Sequence, residues 1–82
     1  MNNLLPTALD YLSIILTELE SAEAKHPYWP DDIIHAVAIM QKESGEAIRA
    51  AVRFVYEDGD KKDLEKELIQ TAAMCLRCLK NL

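Results

Sequence analysis

Eighty-two residues make room for one domain with a modest core. Half of them are hydrophobic, which excludes a disordered chain. The net charge of −5, nine Lys+Arg against fourteen Asp+Glu, argues against nucleic acid or an anionic membrane surface as partner, yet leaves a phosphate substrate open, because a bound divalent cation inverts the local sign.

The start, Met1-Asn2-Asn3-Leu4-Leu5-Pro6, has neither a basic region nor a continuous apolar region of the secretory type. No apolar run approaches the roughly 20 residues that span a bilayer. The expectation is a cytoplasmic chain whose cysteines, Cys75 and Cys78, are reduced thiols.

Two glycines, and three prolines that all fall outside the periodic segments, predict long helices with short connections. The first helix is expected over about 7–24. Thr7 and Asp10 form a capping box with Asp as acceptor. Leu5, Leu9, Leu12, Leu16 and Leu19 recur at steps of three and four, which predicts the buried stripe. Ala8, Ile15 and Ala22 broaden it, with no ionisable residue at its middle. The connection Lys25-His26-Pro27-Tyr28-Trp29-Pro30 cannot be helical, because two prolines interrupt it.

The second helix is expected over about 32–57, opened by Asp31 and Asp32 and ended at Asp58-Gly59-Asp60, with Gly59 suited to a left-handed cap. Its apolar arc holds Ile33, Ala36, Val37, Ile39, Met40, Ala47, Ile48, Ala50, Ala51, Phe54 and Val55; its polar side holds His35, Lys42, Arg49 and Arg53. At about 100° per residue, Glu43 falls in line with Ala36, Ile39, Ala47, Ala50 and Phe54. Glu46 is its neighbour three residues on. A carboxylate among core-type residues is costly unless a cation or metal pairs with it. Gly45, between the two, costs about 1 kcal/mol against Ala in mid-helix and suggests a close approach of backbone or ligand.

The third helix is expected over about 61–79, with an apolar face of Leu64, Leu68, Ala72, Cys75, Leu76, Cys78 and Leu79. Glu67 lies at its margin near Thr71, Met74 and Cys78. Helices joined by a tight turn pack antiparallel. Glu46 and Glu67 then sit at depths differing by roughly 7 Å, at about 1.5 Å per residue. Inward carboxylates on facing helices are how bundles hold hard metals, and Mg²⁺ takes oxygen ligands while keeping room for phosphates. The competing reading pairs these glutamates with Lys42, Arg49 and Arg53, or lets them reach solvent.

Glu43-x-x-Glu46, a spacer of twenty residues, then Glu67-x-x-Gln70 resembles the motif of the all-α nucleotide pyrophosphohydrolases, the MazG-like superfamily. Lys42-Glu43-Ser44-Gly45-Glu46 is similar to that family's first acidic helix, and Glu65-Lys66-Glu67-Leu68-Ile69-Gln70 to its second. The resemblance spans about 33–79. It implies a three-helix bundle completed by homo-oligomerisation, as a homodimer or larger, with sites near subunit interfaces. It implies Mg²⁺, or Mn²⁺, on Glu43, Glu46, Glu67 and Gln70, with Glu43 and Glu46 carrying the reaction. The metal would hold a nucleoside triphosphate while an activated water releases pyrophosphate. Lys42 and Arg49 are candidates for phosphate contact, and Trp29 for stacking on the base, or for plugging the bundle end. The chain departs from the family at Gln70, where an Asp is usual, and at Lys42, where another acid is common. A non-catalytic helical interaction protein with a degenerate metal site is therefore the rival reading.

Cys75-Leu76-Arg77-Cys78 has zinc-type spacing but no second pair, and its place at a helix end does not suit a redox motif, so both cysteines are expected to be structural and buried. No glycine-rich phosphate cradle is present.

Overall fold

The computed structural model describes residues 5–82. Residues 1–4, on which the expectation of no secretory leader rests in part, lie outside the described residues. Three helices follow one another: α1 (Ala8–Lys25), α2 (Ile33–Tyr56) and α3 (Lys61–Lys80). The chain is all-α among the described residues, and no helix there is long and apolar enough to cross a membrane.

Each helix starts where its side chains can satisfy the free N–H groups of a first turn. The Thr7 hydroxyl accepts from the Asp10 N–H at 3.2 Å, and the Thr7 N–H donates to the Asp10 carboxylate at 2.8 Å. Asp32 caps α2 by accepting from Ile34 and His35. Asp60 caps α3 by accepting from Lys62. The turn between α2 and α3 differs from expectation. Asp58, not Gly59, takes the left-handed conformation, at φ 58°. Gly59 is needed for another reason: a Cβ there would meet the Arg53 backbone at 2.9 Å, because the Gly59 N–H folds back onto the Arg53 carbonyl at 2.8 Å.

The last helix lies in the middle. α3 packs against α2 on one side and α1 on the other, and α1 and α2 make no close backbone approach. The result is a layer of three helices, 45 × 33 × 19 Å. Its radius of gyration is 14.3 Å, where a compact chain of this length has about 12 Å. The buried apolar residues are Leu19, Ala36, Ala47, Ala50 and Ala73.

A layer one helix thick leaves apolar surface uncovered, and several sequence expectations change for that reason. Of the leucine stripe on α1 only Leu19 is buried; Leu5, Leu9, Leu12 and Leu16 are exposed. The face toward α3 is instead Tyr11, Ile15, Glu18, Leu19 and Ala22, so an ionisable residue, Glu18, does stand in the packed stripe. On α2, Ile33, Val37, Ile48, Phe54 and Val55 are exposed, as are Leu68 and Leu79 on α3. Cys75 is exposed as well, and only Cys78 is partly buried, its thiol reaching the Ala36 carbonyl at 3.5 Å. A single neighbouring helix covers only part of a wide apolar arc.

Candidate metal centre

Glu43, Glu46 and Glu67 come together. One carboxylate oxygen from each lies within 4.8 Å of the other two, and all three residues are half-buried. The helix repeat puts Glu43 and Glu46 on one face of α2. The alanines around them, Ala36, Ala47 and Ala50, are buried against α3 and let the two backbones close up. Glu67 enters from α3, where its own carbonyl accepts from the Thr71 hydroxyl.

The charges at the cluster are not internally balanced. Glu43 Oε2 and Glu67 Oε1 are buried and have no hydrogen-bond partner. No Lys or Arg forms an ion pair with any of the three among the described residues, so the reading that pairs them with Lys42, Arg49 and Arg53 finds no support. Burial raises the Glu43 carboxyl above its ordinary value; Glu46 and Glu67 add to the rise, Lys42 opposes it, and Glu18 contributes from α1. Orphaned carboxylate oxygens of this kind are costly. Three oxygen donors, with no nitrogen or sulfur among them, suit a hard divalent cation such as Mg²⁺ and leave positions for water or phosphate.

Two cavities flank the cluster. One, of ≈ 460 Å³, is walled by Glu18 on α1, Trp29 in the connection, Glu43 on α2, and Gln70, Met74 and Arg77 on α3. The other, of ≈ 400 Å³, holds Glu46 and Glu67 beside Arg49, Arg53 and Lys66. Each expected residue can be placed against this pair. Gln70 and Trp29 share the first cavity with Glu43. Arg49 lines the second. Lys42 is exposed and lines neither. Trp29 is half-buried beneath the Arg77 guanidinium, 4.5 Å from the ring centre, whereas Tyr28 is exposed. Gly45 meets no protein atom where a Cβ would stand, so no backbone approach requires it.

Two residues of the site went unread in the sequence. Glu18 stands at steps of three and four from Ile15 and Ala22, a spacing that the more regular leucine stripe masked. Arg77 stands seven residues after Gln70 and three after Met74, on the same face of α3. A basic residue in a last helical turn ordinarily reads as a solvated partner of the helix dipole, and that pattern concealed it. Comparison with protein families, with curated proteins and with solved structures finds no match to this chain.

Proposed function

We propose that the chain is a Mg²⁺-dependent nucleoside triphosphate pyrophosphohydrolase, of the MazG-like kind, acting in the cytoplasm. One observation carries the reading: three carboxylates from two helices meet within 4.8 Å with buried, unpartnered oxygens. Glu43, Glu46 and Glu67 would hold the cation, and Gln70, which lines the adjoining cavity, offers a neutral carbonyl oxygen in place of a fourth charge. A divalent cation here supplies charge neutralisation for the phosphates and acidifies a bound water. The residues of the chain do the rest. Arg49, Arg53 and Lys66 offer cations to the phosphate chain on one side of the cluster. Trp29 gives the other side an aromatic wall. Burial and the neighbouring carboxylates raise the Glu43 carboxyl while no ion pair among the described residues balances them, and a bound divalent cation would relieve that cost by favouring the ionised form.

The purified protein, given each common (d)NTP with Mg²⁺ or Mn²⁺, is expected to yield the monophosphate and pyrophosphate in equal amounts. Glu43→Gln and Glu67→Gln are expected to remove turnover and, with it, the rise in melting temperature that the metal gives. A melting temperature indifferent to both metals and to nucleotides rules the proposal out.

The second reading is a non-catalytic helical interaction protein. The exposed apolar flank of α2 (Ile34, Val37, Ile48, Val52, Val55) and that of α1 (Leu9, Leu12, Leu16) favour it, as does the missing charge at Gln70. The same flanks support a homodimer or larger assembly under either reading, since exposed apolar patches of this extent mark association surfaces. Light scattering at micromolar concentration is expected to give at least twice the chain mass of 9.3 kDa; a stable monomer there rules assembly out.

A further inference from the structure

Arg77 is a buried charge with no ion-pair partner among the described residues. It is 4% exposed. Its Nη2 donates to the His26 carbonyl at 2.6 Å, and its guanidinium lies over Trp29. Its Nε is buried with no acceptor. A guanidinium carries five N–H donors and stays protonated in proteins. The carbonyl at the end of α1 and the ring face of Trp29 offset part of the burial, through partial charges only. Tying the 26–30 connection to α3 thus explains one donor and one face of Arg77, and leaves its charge and the Nε donor unexplained.

The surroundings narrow what could answer that charge. Arg77 lines the ≈ 460 Å³ cavity together with Glu18 and Glu43. Those two carboxylates repel a free anion. A divalent cation beside Glu43 reverses the local sign, so an anion that meets the cation and Arg77 together is favoured. Oxygens spread around one centre, able to face a metal on one side and a guanidinium on the other, describe a phosphate group.

We infer that this cavity is a phosphate pocket, in which Arg77 holds a phosphoryl group whose other oxygens face the cation at Glu43. The inference rests on the metal reading above and adds a residue and a direction to it. One phosphoryl group then lies at the Trp29 side of the cluster, and the cavity of Arg49, Arg53 and Lys66 on the other side takes the rest of the phosphate chain.

Trp29 is the only tryptophan in the chain and touches Arg77, so its fluorescence reports on the pocket. The probe is inorganic pyrophosphate, titrated into the whole protein at a Mg²⁺ concentration that saturates the metal response. Wild type is expected to give a saturable fluorescence change. Arg77→Met, checked for unchanged helicity and Mg²⁺ response, is expected to bind pyrophosphate on the order of ten- to a hundredfold more weakly, the usual range for a lost hydrogen bond to a charged group. Arg77→Lys keeps the charge but not the fork and is expected to fall between. The Arg77 Nε–H resonance of the ¹⁵N-labelled wild type is expected to shift on saturation. Should Arg77→Met fail to fold, that shift decides alone. Wild-type affinity in folded Arg77→Met, or an unmoved Nε–H at saturating pyrophosphate, overturns the inference and leaves the metal reading standing. Absence of any Mg²⁺ response fails the metal reading instead; an Nε–H shift with pyrophosphate alone then still places the phosphate at Arg77, and no shift overturns both.

Discussion

α3 meets its two neighbours in different ways. Toward α2 the seam is made of small residues, with Ala36, Ala47 and Ala50 buried. Toward α1 it is made of larger ones, Tyr11, Ile15 and Leu19, and is held by polar links at its two ends. The Tyr11 hydroxyl donates to Glu65 at 3.2 Å, and Lys80 pairs with Glu23 at 2.9 Å. Beside the α1 seam an apolar cavity of ≈ 360 Å³ remains open between Ile15, Leu64, Leu68 and Ile69. The metal candidates sit on the tight seam, and only Glu18 looks in from the loose one. Close packing of small residues brings carboxylates of α2 and α3 within ligand distance, whereas the looser seam is crossed by longer side chains at its ends.

Enlarging an alanine of the tight seam breaks the contrast most. Ala50→Leu overpacks it and is expected to cost about 1–3 kcal/mol in urea unfolding. It should also part Glu46 from Glu67 and abolish the metal-induced rise in melting temperature. A variant destabilised to this extent but still metal-responsive would detach the site from the close packing.

The next effect is one of pH. Glu43 in the folded chain holds its proton above the ordinary value of 4.5. A carboxyl raised by folding contributes stability that is fully present below its unfolded value and is lost as pH rises through its folded one. Metal-free wild type is therefore expected to lose stability relative to Glu43→Gln as pH climbs from 4.5 toward neutrality. Urea midpoints of the pair at both ends of that interval measure it; a constant difference contradicts the burial of the Glu43 carboxyl and its repulsion by Glu46 and Glu67.

The smallest effect sharpens the picture at the edge of the tight seam. Gly45 has nothing within 4 Å of where a Cβ would stand, so Gly45→Ala is expected to stabilise the isolated chain by about 0.5–1 kcal/mol through helix propensity. A loss of activity on top of that gain would mean that the space over Gly45 belongs to substrate.

How much of this was legible beforehand follows from what each signal encodes. The helix limits agree with the sequence to about one residue at each end, because capping residues and prolines act locally. The approach of Glu43, Glu46 and Glu67 was legible too, since it needs only the helix repeat and one antiparallel turn. The rotation of α1 was not. Its apolar arc is wider than one neighbour can cover, and the choice between the leucine stripe and the Tyr11–Ile15–Glu18 face depends on where α3 lies. Burial of Arg77 was hidden for a like reason: it comes from Trp29 and His26, some fifty positions away along the chain.

The order of the helices has a consequence for synthesis. A chain emerges from its N-terminus, yet both outer helices pack only on α3, the last of these three made. The links from α1 span 54 and 57 residues, so neither α1 nor α2 can dock until α3 is free. Non-local closure of this kind carries its entropic cost ahead of its contacts. Until then the apolar side chains of α1 that α3 covers, Ile15 and Leu19 among them, have no partner helix.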